Sequence, residues 1–153
     1  MPASLNMIKI NNITQKISRV LLALLLAFSL GACNESDDLQ EIFVGHNWKL
    51  TFVKNGGEMY ASDGKEYKIV FGESQFNLTT PAGATISGGW HASSSGDRRN
   101  FGCNNIKVSG NIANDKIAVA IKNILENATT YEGDAHYLKI VHTINEFVQF
   151  YNR

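Results

Sequence analysis

Residues 115–128 read Asp-Lys-Ile-Ala-Val-Ala-Ile-Lys-Asn-Ile-Leu-Glu-Asn-Ala, and this stretch decides the fold class. Its apolar side chains recur at the spacing of one helix face, at Ile117, Ile121, Ile124, Leu125 and Ala128, while lysine, asparagine and glutamate occupy the other side. Asn114 precedes it as a suitable N-cap, and Thr129-Thr130 with Gly133 follows it. We therefore predict one helix of about four turns over 115–128.

The rest of the domain has the period of strands. In 48–53 and 67–71 apolar and polar side chains alternate, as they do in half-buried strands. Turn signals separate these segments from further candidate strands at 75–79, 84–91, 101–109, 137–142 and 147–151, with a short extension at Met59-Tyr60. Residues 92–100, rich in serine and arginine, predict a mobile loop. The pattern indicates an α+β fold, with an antiparallel β-meander or partial barrel of about seven to eight short strands.

A single helix cannot form a core alone. Its apolar stripe must pack on one face of the sheet or close the mouth of a barrel. The residues expected to form the other half of that core are Phe52, Ile69, Phe71, Trp90, Phe101, Ile140 and Phe150.

The first 32 residues have the layout of a secretory signal peptide. A basic, acid-free segment with Lys9, Lys16 and Arg19 precedes an apolar run over 20–30, which is too short for an ordinary spanning helix of about 20 residues. The signal ends in Leu30-Gly31-Ala32-Cys33. An ordinary secretory signal with a chance cysteine is the alternative, and Met7 is an alternative start.

That ending resembles the lipobox of bacterial lipoproteins, which reads Leu, small, small, Cys. The resemblance implies that Cys33 becomes the lipid-modified first residue of the mature protein and anchors it to the outer membrane of the cell envelope. Two or three acyl chains make such an anchoring stable, whereas a single chain binds a bilayer only reversibly.

Residues 33–42 carry four acidic side chains and no basic one, which predicts a flexible tether before a single domain over 43–153. This stretch also resembles the export signal of Bacteroidetes surface lipoproteins, which implies exposure at the cell surface. The solvated spacer and the export signal both remain open.

Charge and cysteine content restrict the partners of the domain. From residue 43 onward the chain has eleven basic and ten acidic residues, so it lacks the basic excess of nucleic-acid binders. Cys103 is the only cysteine besides Cys33, and acylation of Cys33 would leave it without an intrachain partner.

Short motifs support a family resemblance. Gly102-Cys103-Asn104 at the start of a strand, the helix over 116–127 and the opening Asn47-Trp48-Lys49-Leu50 resemble META domains of heat-inducible bacterial lipoproteins. The chain lacks the Thr-Arg-Met-Ala-Cys-like segment of META domains. It is also similar to uncharacterised lipocalin-like lipoproteins of Bacteroidetes, which share the Tyr-x-Gly-Asp turn after the helix. Both resemblances imply a small antiparallel sheet or partial barrel with one helix, and neither implies an activity.

The residues that could carry catalysis or bind a metal do not form a recognisable pattern. Cys103 could act as a nucleophile, but its place in a predicted strand favours a buried thiol. The four histidines (His46, His91, His136 and His142) have no metal-ligand spacing. We therefore predict no catalytic residue, no metal and no cofactor.

Two groups are candidates for binding. Asp97-Arg98-Arg99 could hold a carboxylate or phosphate, although loop tips are polar by default. Trp90 and His91, with Tyr60, could form an aromatic patch for a sugar or peptide.

We thus expect a lipid-anchored, non-catalytic binding or envelope-interaction module whose partner is a small molecule or an envelope protein. The alternative is a lipocalin-like carrier of a small apolar ligand, which requires an apolar cavity inside the sheet.

Overall fold

The computed structural model describes residues 35–152, and this part of the chain contains two helices and nine strands. The helices are α1 (Glu35–Phe43) and α2 (Lys116–Asn127). The strands are β1 (Trp48–Asn55), β2 (Glu58–Ala61), β3 (Lys68–Phe71), β4 (Gln75–Thr79), β5 (Thr85–Ser95), β6 (Arg98–Ser109), β7 (Thr130–Gly133), β8 (Tyr137–Thr143) and β9 (Glu146–Tyr151). The predicted signal peptide and Cys33 lie outside the described residues. Neither of the two helices in this part is long and apolar enough to cross a bilayer.

The strands form one antiparallel sheet that curves into an incomplete barrel. Its order is β2-β1-β3-β4-β5-β6-β7-β8-β9, and β1 also pairs with β9, which brings the two ends of the sheet together. The ring is weakest between β6 and β7, where the register contains the single pair Asn100↔Thr130. The predicted α+β class and partial barrel are confirmed.

Helix α2 packs against the barrel and contacts β1, β6, β8 and β9. Ile121, Ile124 and Leu125 of the predicted stripe are buried, together with Ala118 and Ala120, which the stripe did not include. Ile117 and Ala128, at the two ends of the predicted stripe, are only partly buried. The N-cap is Asp115 and not Asn114, because the Asp115 carboxylate accepts the Ala118 N–H at 3.0 Å.

The start of the described chain differs from the prediction. In place of a flexible tether over 33–42, the chain forms helix α1 from Glu35 onward. Leu39, Ile42 and Phe43 follow the i, i+3, i+4 spacing of a helix face and pack against the core, and Phe43 is fully buried. The acidic side chains alone suggested disorder, but these three apolar residues pack α1 on the sheet.

Most of the predicted core residues are buried, and Phe52 is the main exception. Ile69, Phe71, Phe101, Ile140 and Phe150 are at most 3% exposed. The pairing of β1 with β9 shifts register between Leu50 and Phe52, so that Val53 is buried in place of Phe52, which is half-buried. A bulge of this kind reverses the alternation that the sequence suggests. Trp90 is half-buried as well.

The predicted mobile loop over 92–100 is wrong. The strands β5 and β6 continue through it as a long hairpin with Ser93↔Asn100 and Ser95↔Arg98 in register, and only Gly96-Asp97 form the turn. This end of the hairpin is largely exposed on both faces, so apolar alternation is not needed there. The sequence does not predict β7 (Thr130–Gly133) either, because Thr129-Thr130 and Gly133 there indicate only the end of the helix.

Candidate ligand-binding cavity

The predicted aromatic patch does not form, because neighbouring strand residues point to opposite faces. Trp90 lies on the inner face of β5, where its ring is 4.7 Å from that of Phe43 and its Nε1 donates to the Gly72 carbonyl at 3.0 Å. His91 lies on the outer face above Gly102. Tyr60 is on β2, where its hydroxyl donates to Glu58.

The two predicted anion-binding arginines are also separated. Asp97 is in the hairpin turn, and Arg98 begins β6 with an exposed side chain. The Arg99 guanidinium donates to the Gly133 carbonyl at 3.0 Å and lies 5.7 Å from the centre of the Tyr131 ring. Arg99 therefore joins β6 to β7 and does not form a fork with Arg98.

Cys103 lies opposite Trp90 in the β5–β6 register. Burial raises the pKa of its thiol to about 12, so the thiol stays protonated at neutral pH. Within the described residues no three His, Cys, Asp or Glu side chains meet in a possible metal site. His46 accepts from Asn152 at 2.8 Å, and His142 lies 3.4 Å from Glu146.

A surface cavity of about 550 Å³ lies at the N-terminal end of α2. Three separate connections meet there: the one between β2 and β3, the turn between β4 and β5, and the segment that leads from β6 into α2. Its wall is formed by Lys65, Tyr67, Pro81, Ala82, Asn111, Asn114, Asp115, Lys116 and Ile117. None of the binding residues predicted from the sequence lines it.

Tyr67 and Asp115 are hydrogen-bonded to each other in this wall. The Tyr67 hydroxyl donates to both carboxylate oxygens of Asp115, at 2.9 and 3.0 Å. Burial, and secondly the hydrogen bond to Asp115, raise the pKa of Tyr67 well above its ordinary value. The phenol is therefore neutral at physiological pH. Because the same carboxylate also accepts from the Ala118 N–H, it holds the cavity wall against α2.

The remaining polar side chains determine the ligand that the cavity would accept. Lys65 and Lys116 contribute two positive charges against the single charge of Asp115, so the wall is positive by one. Asn111 and Asn114 add amides that both donate and accept hydrogen bonds. Ammonium and amide donors on one concave surface suit a carboxylate or phosphate that also carries hydroxyl groups.

Little in the sequence indicates that these residues form a site. Asn114 and Asp115 indicate only the start of a helix, and Lys65 and Tyr67 lie about 50 residues before them. The single local signal was the density of Asn and Asp over 111–115, which a capped helix start also explains.

Comparisons with known proteins agree on the family of the domain. Residues 57–152 match a family model described as a domain of unknown function (DUF4847). The structure is similar to the crystal structure of a DUF4847 family protein from Bacteroides vulgatus, with a TM-score of 0.53 and 21% sequence identity. That match covers 74% of this chain and 96% of the other chain. No curated protein matches the chain. Neither the family match nor the structure match bears the META or lipocalin name, so both resemblances stay predictions.

Proposed function

The chain belongs to the DUF4847 family, and we propose that its domain is a non-catalytic binding module of the cell envelope. Its ligand would be a small anion with a carboxylate or phosphate and neighbouring hydroxyl groups, and the binding site would be the cavity beside Tyr67 and Asp115. A lipid on Cys33 would anchor the domain to the outer membrane. The domain would then lie either at the cell surface or on the inner side of that membrane.

The composition of the cavity wall is the observation that carries this proposal. Lys65 from the β2–β3 connection and Lys116 at the start of α2 line the same cavity, together with the amides of Asn111 and Asn114. Tyr67 and Asp115 are already bonded to each other, so the wall is organised before any ligand arrives. Such preorganisation lowers the ordering cost of binding.

The carrier of an apolar ligand is less favoured because side chains occupy the interior. Phe43 is fully buried and its ring lies 5.2 Å from that of Phe71, 5.5 Å from that of Phe101 and 5.1 Å from that of Tyr131. An apolar ligand of useful size would have to displace Phe43 and with it α1.

Titration calorimetry of the purified full chain with glucuronate, citrate and phosphate tests the cavity. We expect binding of at least one of these anions, weakened at least tenfold by Lys65→Ala and by Lys116→Ala, a factor equivalent to about 1.4 kcal/mol. Lys54→Ala is the matched control, because Lys54 bonds Asn145 away from the cavity. Failure of all three anions to bind, or equal weakening by the control, would contradict this assignment.

The anchor has a separate test. Metabolic labelling with a radioactive fatty acid should mark the wild-type chain and not the Cys33→Ser variant, which should also leave the membrane fraction. If the variant keeps its label, its size and its membrane association, the anchor is wrong while the cavity proposal is unaffected. Protease treatment of intact cells then decides the membrane face, since a fully protected domain would exclude surface exposure.

A further inference from the structure

The outer face of β4, β5 and β6 has an unusual side-chain composition. Directly paired residues of an antiparallel sheet share a face, and most of the outward residues here are amides and hydroxyls. Gln75 pairs with Gly89 and thereby with Asn104, Asn77 pairs with Ser87, and Ser93 pairs with Asn100. We call this surface the amide face: Gln75, Asn77, Ser87, Ser93, Asn100 and Asn104.

Two glycines leave the centre of the amide face flat. A Cβ at Gly102 would lie 2.5 Å from Cε1 and 2.8 Å from Nε2 of His91, so the imidazole ring lies over Gly102. The side-chain amide of Asn104 lies over Gly89 in the same way. The imidazole of His91 and the amide of Asn104 thus lie flat along the surface of the sheet and do not project from it.

A groove continues the amide face toward the other end of β5. It has a volume of about 510 Å³, and Gln75, Ser87, Asn105 and Lys107 supply its polar wall. A β-bulge forms this groove, since the β5–β6 register shifts between Ser87 and Gly89. The face runs from Ser87 to Ser95, which is about 26 Å at the rise of an extended strand.

Charge is confined to the margins of this surface. Arg98 pairs with Ser95 at one end of the face, and Lys107 pairs with Ser87 at the other. The ion pairs of the described residues involve other parts of the molecule, such as Lys49–Glu66 beside β1, Lys139–Glu132 between β7 and β8, and Lys122–Glu126 on α2. Between these two cations the face carries amide, hydroxyl and imidazole groups, which both donate and accept hydrogen bonds and so complement an uncharged partner that does the same.

We propose that the amide face binds a neutral polysaccharide, lying along β5. Sugar hydroxyls would bond the amides of Gln75, Asn77 and Asn104, and the apolar face of one sugar ring would rest on the imidazole of His91. A nucleic acid would require clustered basic side chains, and a protein partner would require an apolar centre, neither of which the amide face has. This proposal does not depend on the anion cavity, because none of the residues that line the cavity belongs to the amide face.

Affinity electrophoresis of the full chain tests this proposal. Native gels would contain amylopectin, xylan, laminarin or mannan as neutral polysaccharides, and polygalacturonate or chondroitin sulfate as acidic ones. We expect at least one neutral polysaccharide to retard the protein and the acidic ones to have no comparable effect. His91→Ala and Asn104→Ala should each raise the apparent Kd at least fivefold.

The controls separate this surface from the rest of the molecule. Gln149→Ala removes an amide from β9, far from the amide face in the sheet order, and should leave the retardation unchanged. Lys65→Ala should also leave it unchanged, which distinguishes this site from the anion cavity. Each variant is first shown to unfold at the wild-type temperature. Absence of retardation in all four neutral gels, equal retardation by the acidic polysaccharides, or retention of full affinity in both face variants would overturn the proposal.

Discussion

The Tyr67 hydroxyl bonds both carboxylate oxygens of Asp115, a residue 48 positions further along the chain. Tyr67 is 2% exposed, and its carbonyl also accepts the Leu50 N–H from β1 at 3.0 Å. Asp115 in turn accepts the Ala118 N–H and so caps α2. A single carboxylate therefore fixes the start of the helix to the sheet and shapes one wall of the cavity.

Substitution of Tyr67 or of Asp115 should destabilise the domain, and the loss should be larger for Asp115. Tyr67→Phe removes one hydroxyl donor and should lower the free energy of unfolding by about 1 kcal/mol. Asp115→Ala removes the N-cap and also leaves a buried tyrosine hydroxyl without its acceptor, so we expect about 2 kcal/mol. Urea denaturation followed by circular dichroism measures both values.

The double variant supplies the decisive comparison. If the two residues act through each other, the two losses should fail to add by at least about 0.5 kcal/mol. Tyr60→Phe is the matched control, because the Tyr60 hydroxyl bonds Glu58 in an exposed position and its loss should leave stability unchanged. Additive losses would show that the bond between Tyr67 and Asp115 contributes little.

Helix α1 should be part of the stable core although it lies outside the region matched to the family. Phe43→Ala removes a fully buried ring that contacts four other aromatic rings, so unfolding should become easier by about 3–5 kcal/mol. Ile144→Ala is the control, since Ile144 is 85% exposed in the β8–β9 turn. A loss for Phe43→Ala as small as that for Ile144→Ala would mean that α1 detaches readily from the barrel.

Much of the fold could be predicted because its signals are local. The period of α2, the alternation of β3 and β4 and the final hairpin of β8 and β9 each depend on neighbours in the sequence. The bulge that buries Val53 in place of Phe52 depends on how β1 meets β9, almost 100 residues away, and no local pattern reports it. The acidic composition of the segment that ends at Phe43 obscured the helical spacing of its three apolar residues.

The candidate site could be predicted much less well. Trp90 and His91 are neighbours in the sequence, but a strand sends them to opposite faces, and Arg98 and Arg99 diverge for the same reason. The cavity, by contrast, brings together Lys65 from the β2–β3 connection and Lys116 from the start of α2. Residues that are adjacent on a strand point to opposite faces and therefore seldom share a site. A site built by segments that are distant in the sequence can be recognised only in the folded chain.

Gly133 should tolerate no side chain. A Cβ there would clash with the backbone carbonyl of Tyr137 and lie 3.1 Å from the Cα of Leu138, and backbone atoms cannot rotate away. Gly133→Ala should therefore lower the free energy of unfolding by about 1–3 kcal/mol, within the range of overpacking. Gly57→Ala is the control, because nothing lies within 4 Å of a Cβ there, and its melting temperature should stay the same or rise. Equal melting temperatures for the two variants would contradict the close approach of β7 and β8.

The Cys103 thiol should react slowly in the folded protein. In the Cys33→Ser variant Cys103 is the only thiol, so a colorimetric disulfide reagent reports on it alone. Burial raises its pKa from 9.0 to about 12. At pH 8 the thiolate fraction, and with it the reaction rate, should fall about a thousandfold below that of the protein in denaturant. Similar rates in the two states would show that the thiol is accessible and ionised.

The same shift predicts how stability depends on pH. The folded state keeps the thiol proton above pH 9.0, where the unfolded state loses it, so the contribution of the thiol is complete below pH 9.0 and is lost as the pH rises toward 12. The slope is at most about 1.4 kcal/mol per pH unit.

Tyr67 changes stability in the same direction at higher pH, so the comparison is made between the Cys33→Ser chain and the same chain with Cys103→Ala, from pH 7 to pH 10. The stability difference between these two chains should be constant up to about pH 8 and should then shift in favour of Cys103→Ala, since only the chain with the thiol loses stability in that range. A difference that stays constant to pH 10 would show that the thiol ionises equally in the folded and unfolded states.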